Sequence, residues 1–271
     1  MAIITISRQV GSLGDEIAKA AADALGYNYI EKVQISEILS KCGFSISDID
    51  KLDEKKPSVW QTLSMQTEIF AHFIRAAVNE LAARRNVVIV GRGGQVILKD
   101  TPGVLHVRVI APFETRVGRL MEQRGYEEKM AQRMIRQIDR DSSGYLSNYF
   151  EASIDNGDLY DLVINTRAMT LKESVEMITC AVGADKIKES PQMSEALYES
   201  ALKHKATAAL LEVTDKVEWV DLELTKGIAL LSGLVSTAAI KDECEKVVLN
   251  INGIDSVHNQ LNVRDEKTTI F

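Results

Sequence analysis

Ser7-Arg8-Gln9-Val10-Gly11-Ser12-Leu13-Gly14 separates the apolar run AIITI from a stretch with Ile17, Ala18, Ala21, Ala22 and Leu25 at helical spacing. A glycine-containing loop between a buried strand and a helix start suits phosphate. The first N–H groups of the helix have no intrahelical acceptor, and they carry the positive end of its dipole. The common form of such a loop, G-x-x-x-x-G-K-[ST], adds a lysine for the β- and γ-phosphates and a hydroxyl for Mg²⁺. Here Gly14, Asp15 and Glu16 stand about where those side chains belong. Ser7, Gly11, Ser12 and Gly14 are therefore candidates to hold phosphate, and Arg8, inside the loop, is the candidate to supply the missing charge. The alternative for Arg8 is an exposed loop cation. Asp15 and Glu16 fit either a dipole-stabilising pair or a metal-bound water.

A second chemical group is a supply of arginine. Arg116, Arg119 and Arg124 follow one predicted helix start, and Arg133, Arg136 and Arg140 lie on the next helix. The last three are spaced i, i+3, i+7 and share one helical face. Arg133 and Arg140 have no acid three or four positions away, and Arg136 has only Asp139. Stacked like charges cost about 0.2–0.5 kcal/mol per pair. A polyphosphate would relieve that repulsion through guanidinium forks, and acids distant in sequence would do the same.

The elements that must position these groups alternate. A short apolar segment at Tyr27–Ile30 and strand-like apolar runs at Val87–Val90, Val104–Ile110 and Asp161–Asn165 follow. Helical patterns lie between them near Val33–Lys41, Val59–Arg85, from Ala111 onward, and at Leu171–Val182. The segment Phe44–Pro57 is polar and reads as a turn or short helix. Strands separated by helices predict a parallel sheet covered on both faces. On such a sheet Ser7–Gly14, Gly91–Gly94 and Asn165-Thr166 converge beyond the carboxyl ends of the strands. His72 and His106 read as packing residues, and so do Tyr145 and Tyr149.

The pattern changes at the polar stretch Lys186–Met193. Beyond it an amphipathic helix (Ser194–Leu211), strands at Val217–Leu224 and Ile228–Val235, a helix at Thr237–Ile251 and a strand at Val257–Val263 predict a small αββαβ unit. The expected organisation is residues 1–188, a linker at 189–193, a second unit at 194–264 and a tail at 265–271. After position 189 there are 8 basic and 13 acidic residues, a net −5 of the chain's −7.

That acidity argues against a general nucleic-acid binder. Cys42, Cys180 and Cys244 are scattered and have no metal-type spacing with the four histidines, so reduced thiols and no protein-bound metal centre are expected. No signal-peptide pattern and no apolar run of membrane-spanning length are present, which gives a cytoplasmic expectation without a transmembrane segment.

ITISRQVGSLGDEIAKAAADALGY, VVIVGRGG, the arginine-rich segment and LYDLVINT together resemble the cytidylate kinase-like family of P-loop phosphotransferases over roughly residues 1–183. The resemblance implies a three-layer α/β/α nucleotide-kinase fold with a parallel sheet, ATP and Mg²⁺ as cofactors, and a nucleotide or similar small phosphate acceptor. Carried onto this chain, Arg92 matches the arginine of a GRD segment that grips the acceptor. The following acid, which helps read cytosine, is Gly93 here, so CMP specificity is not implied. Arg133, Arg136 and Arg140 fall in the region of the lid over the transferring phosphate, where relatives commonly have another arginine at Ser142. Asn165 and Thr166 match the segment near the adenine, or cap the strand. Residues Leu222–Val263 resemble the BON domain, which implies a lipid surface or a partner. With this acidity the expectation is a protein partner or self-association through residues 194–264.

Three functions follow: ATP-dependent phosphoryl transfer, a non-catalytic nucleotide sensor reporting through the C-terminal unit, or an adaptor whose nucleotide-kinase-like domain is scaffold.

Overall fold

A computed structural model describes residues 2–41, 65–187, 192–214 and 219–264. The polar segment Phe44–Pro57 and Cys42 lie outside them.

Five parallel strands form the main sheet in the order β2-β3-β1-β4-β5. They are β1 (Ile3–Arg8), β2 (Asn28–Ile30), β3 (Val87–Val90), β4 (Val104–Ile110) and β5 (Leu162–Asn165). The register sets Ile3 opposite both Val87 and Val104, which centres β1 between β3 and β4. The chain leaves β1 toward one edge and later returns to the other, so a crevice opens beyond its carboxyl end.

Alternation along the strands feeds two cores. Ile4, Ile6, Val88, Leu105 and Val107 pack under α1 (Gly14–Leu25) and α7 (Leu171–Val182). Ile3, Val87, Ile89 and Val104 pack on the other side with α2 (Lys32–Lys41), α3 (Met65–Ala83) and the end of α6 (Glu128–Phe150). Each fully buried Ile or Val contributes roughly 1.5–3 kcal/mol, so the sheet is a firm base for its loops. The short α4 (Gly94–Ile97) and α5 (Phe113–Arg124) belong to the same layers.

The C-terminal unit begins with α8 (Met193–Val213), followed by β6 (Trp219–Thr225), β7 (Ile228–Val235), α9 (Ala238–Leu249) and β8 (Ser256–Val263). β6 runs antiparallel to β7, and β8 parallel to it. One difference from the sequence reading concerns α8. It carries apolar residues on two sides: Met193, Leu197 and Ala208 join the core of the first unit, whereas Ala206 and Leu210 join that of the small sheet. A single apolar stripe does not describe it, because the helix is buried from both directions.

Candidate active site

The loop after β1 is built against its neighbours. Gly11 (φ +75°) and Leu13 (φ 63°) both take left-handed backbone. A Cβ on Gly11 would stand 3.0 Å from the Arg116 carbonyl oxygen, so only glycine lets the loop lie on α5. The first amide of α1 to find a backbone acceptor is that of Ile17, on Leu13 at 2.9 Å. Among the described residues the amides of Gly14, Asp15 and Glu16 have no such acceptor, which leaves them available to an anion.

Buried and half-buried side chains hold this loop from behind. Arg119 donates to the Gly11 carbonyl (3.1 Å), to Thr166 Oγ1 (2.8 Å) and to the Thr166 carbonyl (2.8 Å). Thr166 Oγ1 in turn donates to the Ser12 carbonyl at 2.9 Å. Arg108, from the middle of β4, donates to Ser7 Oγ at 2.6 Å, and Gln9 Oε1 accepts from the Ala111 amide at 3.1 Å. Ser12 Oγ is buried without a hydrogen-bond partner among the described residues.

Arg8 crosses the front of the helix start. A Cβ on Gly14 would lie 2.3 Å from Arg8 Cβ and 2.7 Å from its Cγ, and one on Gly91 would lie 3.3 Å from Arg8 Nη1. Arg8 Nε meets Asp15 Oδ1 at 2.8 Å. The glycine at position 14 thus makes room for an arginine stem from position 8. A charged group reaches the helix start from the strand end rather than from the helix.

The crevice beside it has a volume of about 530 Å³. Ser7, Arg8 and Asp15 line one part, Gly91, Arg92, Gly93 and Gln95 another, and Ile138, Asp141, Ser142 and Tyr145 of α6 a third. Arg92 (φ 58°) sits between Gly91 (φ 73°) and Gly93 (φ 71°). Left-handed backbone costs a non-glycine residue about 1–2 kcal/mol, so this turn is held open by its surroundings. Gly93 admits no side chain, because a Cβ there would meet the Phe150 ring at 2.7 Å. Burial pushes the Tyr145 hydroxyl up to about 12, with Arg92 opposing it.

The sequence-derived residues divide accordingly. Ser7, Arg8, Gly11, Ser12, Gly14 and Arg92 are brought to the loop or the crevice. Thr166 is buried, and its hydroxyl is committed to Ser12 and Arg119, so it braces the loop from behind instead of facing the crevice. Asn165 Oδ1 accepts from the Arg167 amide in a strand-end turn. Arg133, Arg136 and Arg140 are not in the crevice. On a helix of about 3.6 residues per turn they lie almost half a turn from Ile138, Asp141, Ser142 and Tyr145. They line two shallow outer depressions, one of them with Phe113. Arg136 stacks on the Phe113 ring (5.1 Å), and Arg140 bonds Gln137. Asp139, three residues beyond Arg136, pairs with buried Arg116 through both oxygens at 2.9 and 3.0 Å.

The bracing roles of Arg108, Arg119 and Asp139 were not foreseen. The available signal was a lone arginine inside the apolar strand VLHVRVI, where a buried cation needs a built partner.

The profile of the cytidylate kinase-like family matches residues 3–168. The chain belongs to this family. The match spans the loop, the Gly91–Gly93 turn, α6 and β5 through Thr166. A cytidylate kinase from Archaeoglobus fulgidus is 27% identical over 187 residues, covering 68% of this chain and 97% of the relative. One from Methanosarcina acetivorans is 23% identical over 190 residues, covering 67% and 96%. Among solved structures, an uncharacterized protein from Eubacterium ventriosum superposes with a TM-score of 0.53 at 24% identity, covering 67% of this chain and 97% of that one. That likeness concerns the fold alone. As a member of the cytidylate kinase-like family the chain is kinase-like at a coarse level. Among the described residues no helix is long and apolar enough to cross a membrane, and no group of three or more His, Cys, Asp or Glu could hold a metal ion.

Proposed function

We propose that the chain catalyses ATP-dependent phosphoryl transfer to a nucleoside monophosphate or a similar small acceptor, with Arg8 supplying the charge of the absent lysine. The observation that carries this reading is the contact of the Arg8 stem with Gly14 at the start of α1. Phosphoryl transfer asks mainly for positioning and charge neutralisation, and a guanidinium meets both needs.

The donor phosphates would lie against the amides of Gly14, Asp15 and Glu16 and the Arg8 guanidinium. These free amides and a nearby cation fit a polyphosphate. Mg²⁺ would supply further neutralisation of the phosphates, and Asp15, which lines the crevice in the first turn of α1, would be available to hold it or its water. Asp15 also orients Arg8. Arg92, on the strained turn, is assigned the acceptor phosphate, and α6 shields the crevice from water. Residues 194–264 are assigned to a protein partner or to self-association.

A second reading, nucleotide binding without turnover, is favoured by the outward-facing Arg133, Arg136 and Arg140. ATP titration with Mg²⁺, followed by ADP release across a panel of nucleoside monophosphates, separates the two. Turnover lost in Arg8→Ala and Arg92→Ala supports the enzyme. Saturable ATP binding with no turnover for any monophosphate supports the second reading, and no nucleotide binding rejects both.

A further inference from the structure

The first helix of the C-terminal unit, α8, docks on α3, and α3 in turn meets the end of α6. His204 of α8 faces His72 of α3 with their Nδ1 atoms 3.0 Å apart, and Lys205 pairs with Glu80 at 2.7 Å. Arg75 follows His72 by three residues and so shares its side of α3. Its Nη2 donates to the Tyr149 carbonyl at 3.2 Å, and its guanidinium stacks 5.0 Å from the centre of the Phe150 ring. Phe150 is the last residue of α6, and its ring edge fills the space a side chain on Gly93 would need. One turn of α3 thus joins the His204–His72 contact to that of Arg75 with the end of α6, and Phe150 extends the line to the turn that carries Arg92.

This line reaches the phosphate loop where Gly91 lies beside the Arg8 guanidinium, and it contributes no side chain to that loop. The phosphate loop is braced by Arg119 and Thr166, on the other side of β1, and shares no residue with it. The half-buried Arg75 guanidinium ties α3 to the end of α6, one turn from the His72 contact with α8.

We propose that Arg75 is a positioning residue for the Gly91–Gly93 turn, through which the docking of α8 on α3 sets acceptor affinity independently of donor affinity. This rests on reading that turn as the acceptor half of the crevice.

The test uses the full chain with Arg75→Met, which keeps the aliphatic stem, His204→Phe, which keeps a ring, and the double variant. Hydrogen–deuterium exchange of amides 91–97 is expected to rise about tenfold in each single variant and no further in the double, while amides 9–14 exchange as in the parent. Titration with CMP as acceptor probe is expected to weaken about tenfold, with ATP affinity unchanged. Arg75→Lys, which keeps the charge, serves if Arg75→Met fails to fold. Parent-like exchange at 91–97 without the guanidinium, or single effects that multiply in the double variant, overturns the proposal. If the parent binds neither nucleotide the functional reading fails, and the exchange data still decide the coupling.

Discussion

Exchanging the residues at positions 8 and 14 tests whether one cation has moved from the helix to the strand. Gly14→Lys alone restores the common loop lysine, yet its Cβ would stand 2.3 Å from Arg8 Cβ and 2.7 Å from Arg8 Cγ. A Cβ cannot rotate away, so the backbone at position 8 or 14 must shift. Overpacking of this kind costs about 1–3 kcal/mol, so Gly14→Ala and Gly14→Lys are both expected to lower thermal stability. Both also push the Arg8 guanidinium off the helix start. A charge-assisted hydrogen bond contributes about 1.5–3 kcal/mol, so ATP affinity should fall about 10- to 150-fold. Arg8→Gly should lower it by a similar factor without the loss of stability. The double variant Arg8→Gly/Gly14→Lys relieves the clash and returns a cation, and its affinity should recover toward the parent value. Calorimetric titration with ATP and Mg²⁺, beside a melting curve for each variant, gives all the numbers. If Gly14→Lys alone binds ATP as tightly as the parent and Arg8→Gly has no effect, the reasoning is refuted.

Thr166→Val leaves the Ser12 carbonyl and Arg119 without their shared hydroxyl, at a cost of about 1–3 kcal/mol. Its melting temperature and ATP affinity should both drop while exchange at amides 91–97 stays unchanged. Gly93→Ala combines a left-handed backbone with a 2.7 Å contact to Phe150, so a loss of about 1–3 kcal/mol in denaturant unfolding is expected. That loss should be smaller when measured in a Phe150→Ala background. Burial, with Arg75 adding, lowers His72 to about 4. Burial, with His72, Arg75 and Lys203 adding, lowers His204 to about 3. The unfolded chain takes up these protons first, near 6.5, so this contribution is complete above that pH and is lost as pH falls toward the folded values. Melting temperature should therefore fall between pH 6.5 and 4 more steeply in the parent than in His204→Phe, and equal slopes would contradict it.

Much of this arrangement was written in local pattern. VVIV and VLHVRVI are short β-branched runs between helical segments, and each gave its strand because a doubly covered sheet needs continuous apolar residues. The loop was legible from Gly11 and from the change of periodicity at Gly14. The i, i+3, i+7 spacing correctly put Arg133, Arg136 and Arg140 on one face of α6. Which face α6 turns to the crevice depends on the packing of Val117, Leu120, Ala131 and Ile135, and spacing alone does not encode that. The same holds for Thr166, whose hydroxyl meets Ser12 only after β5 is seated beside β4. It holds also for α8, whose second apolar side has meaning only against α3. Arg8 and Gly14 lie in one short segment, but their contact depends on the turn between them. The loss of the lysine and the presence of Arg8 were visible; their steric exclusion was not.

Phosphate transfer by this irregular loop is what the proposed function requires. The direct measurement is the recovery of γ-labelled phosphate in a nucleoside diphosphate, with ATP, Mg²⁺ and each nucleoside monophosphate in turn, for the parent and for Arg8→Ala. Label in at least one diphosphate with the parent, reduced about 10- to 150-fold in a folded Arg8→Ala protein, is the expected result. Tight ATP binding by the parent with no label in any diphosphate would contradict it.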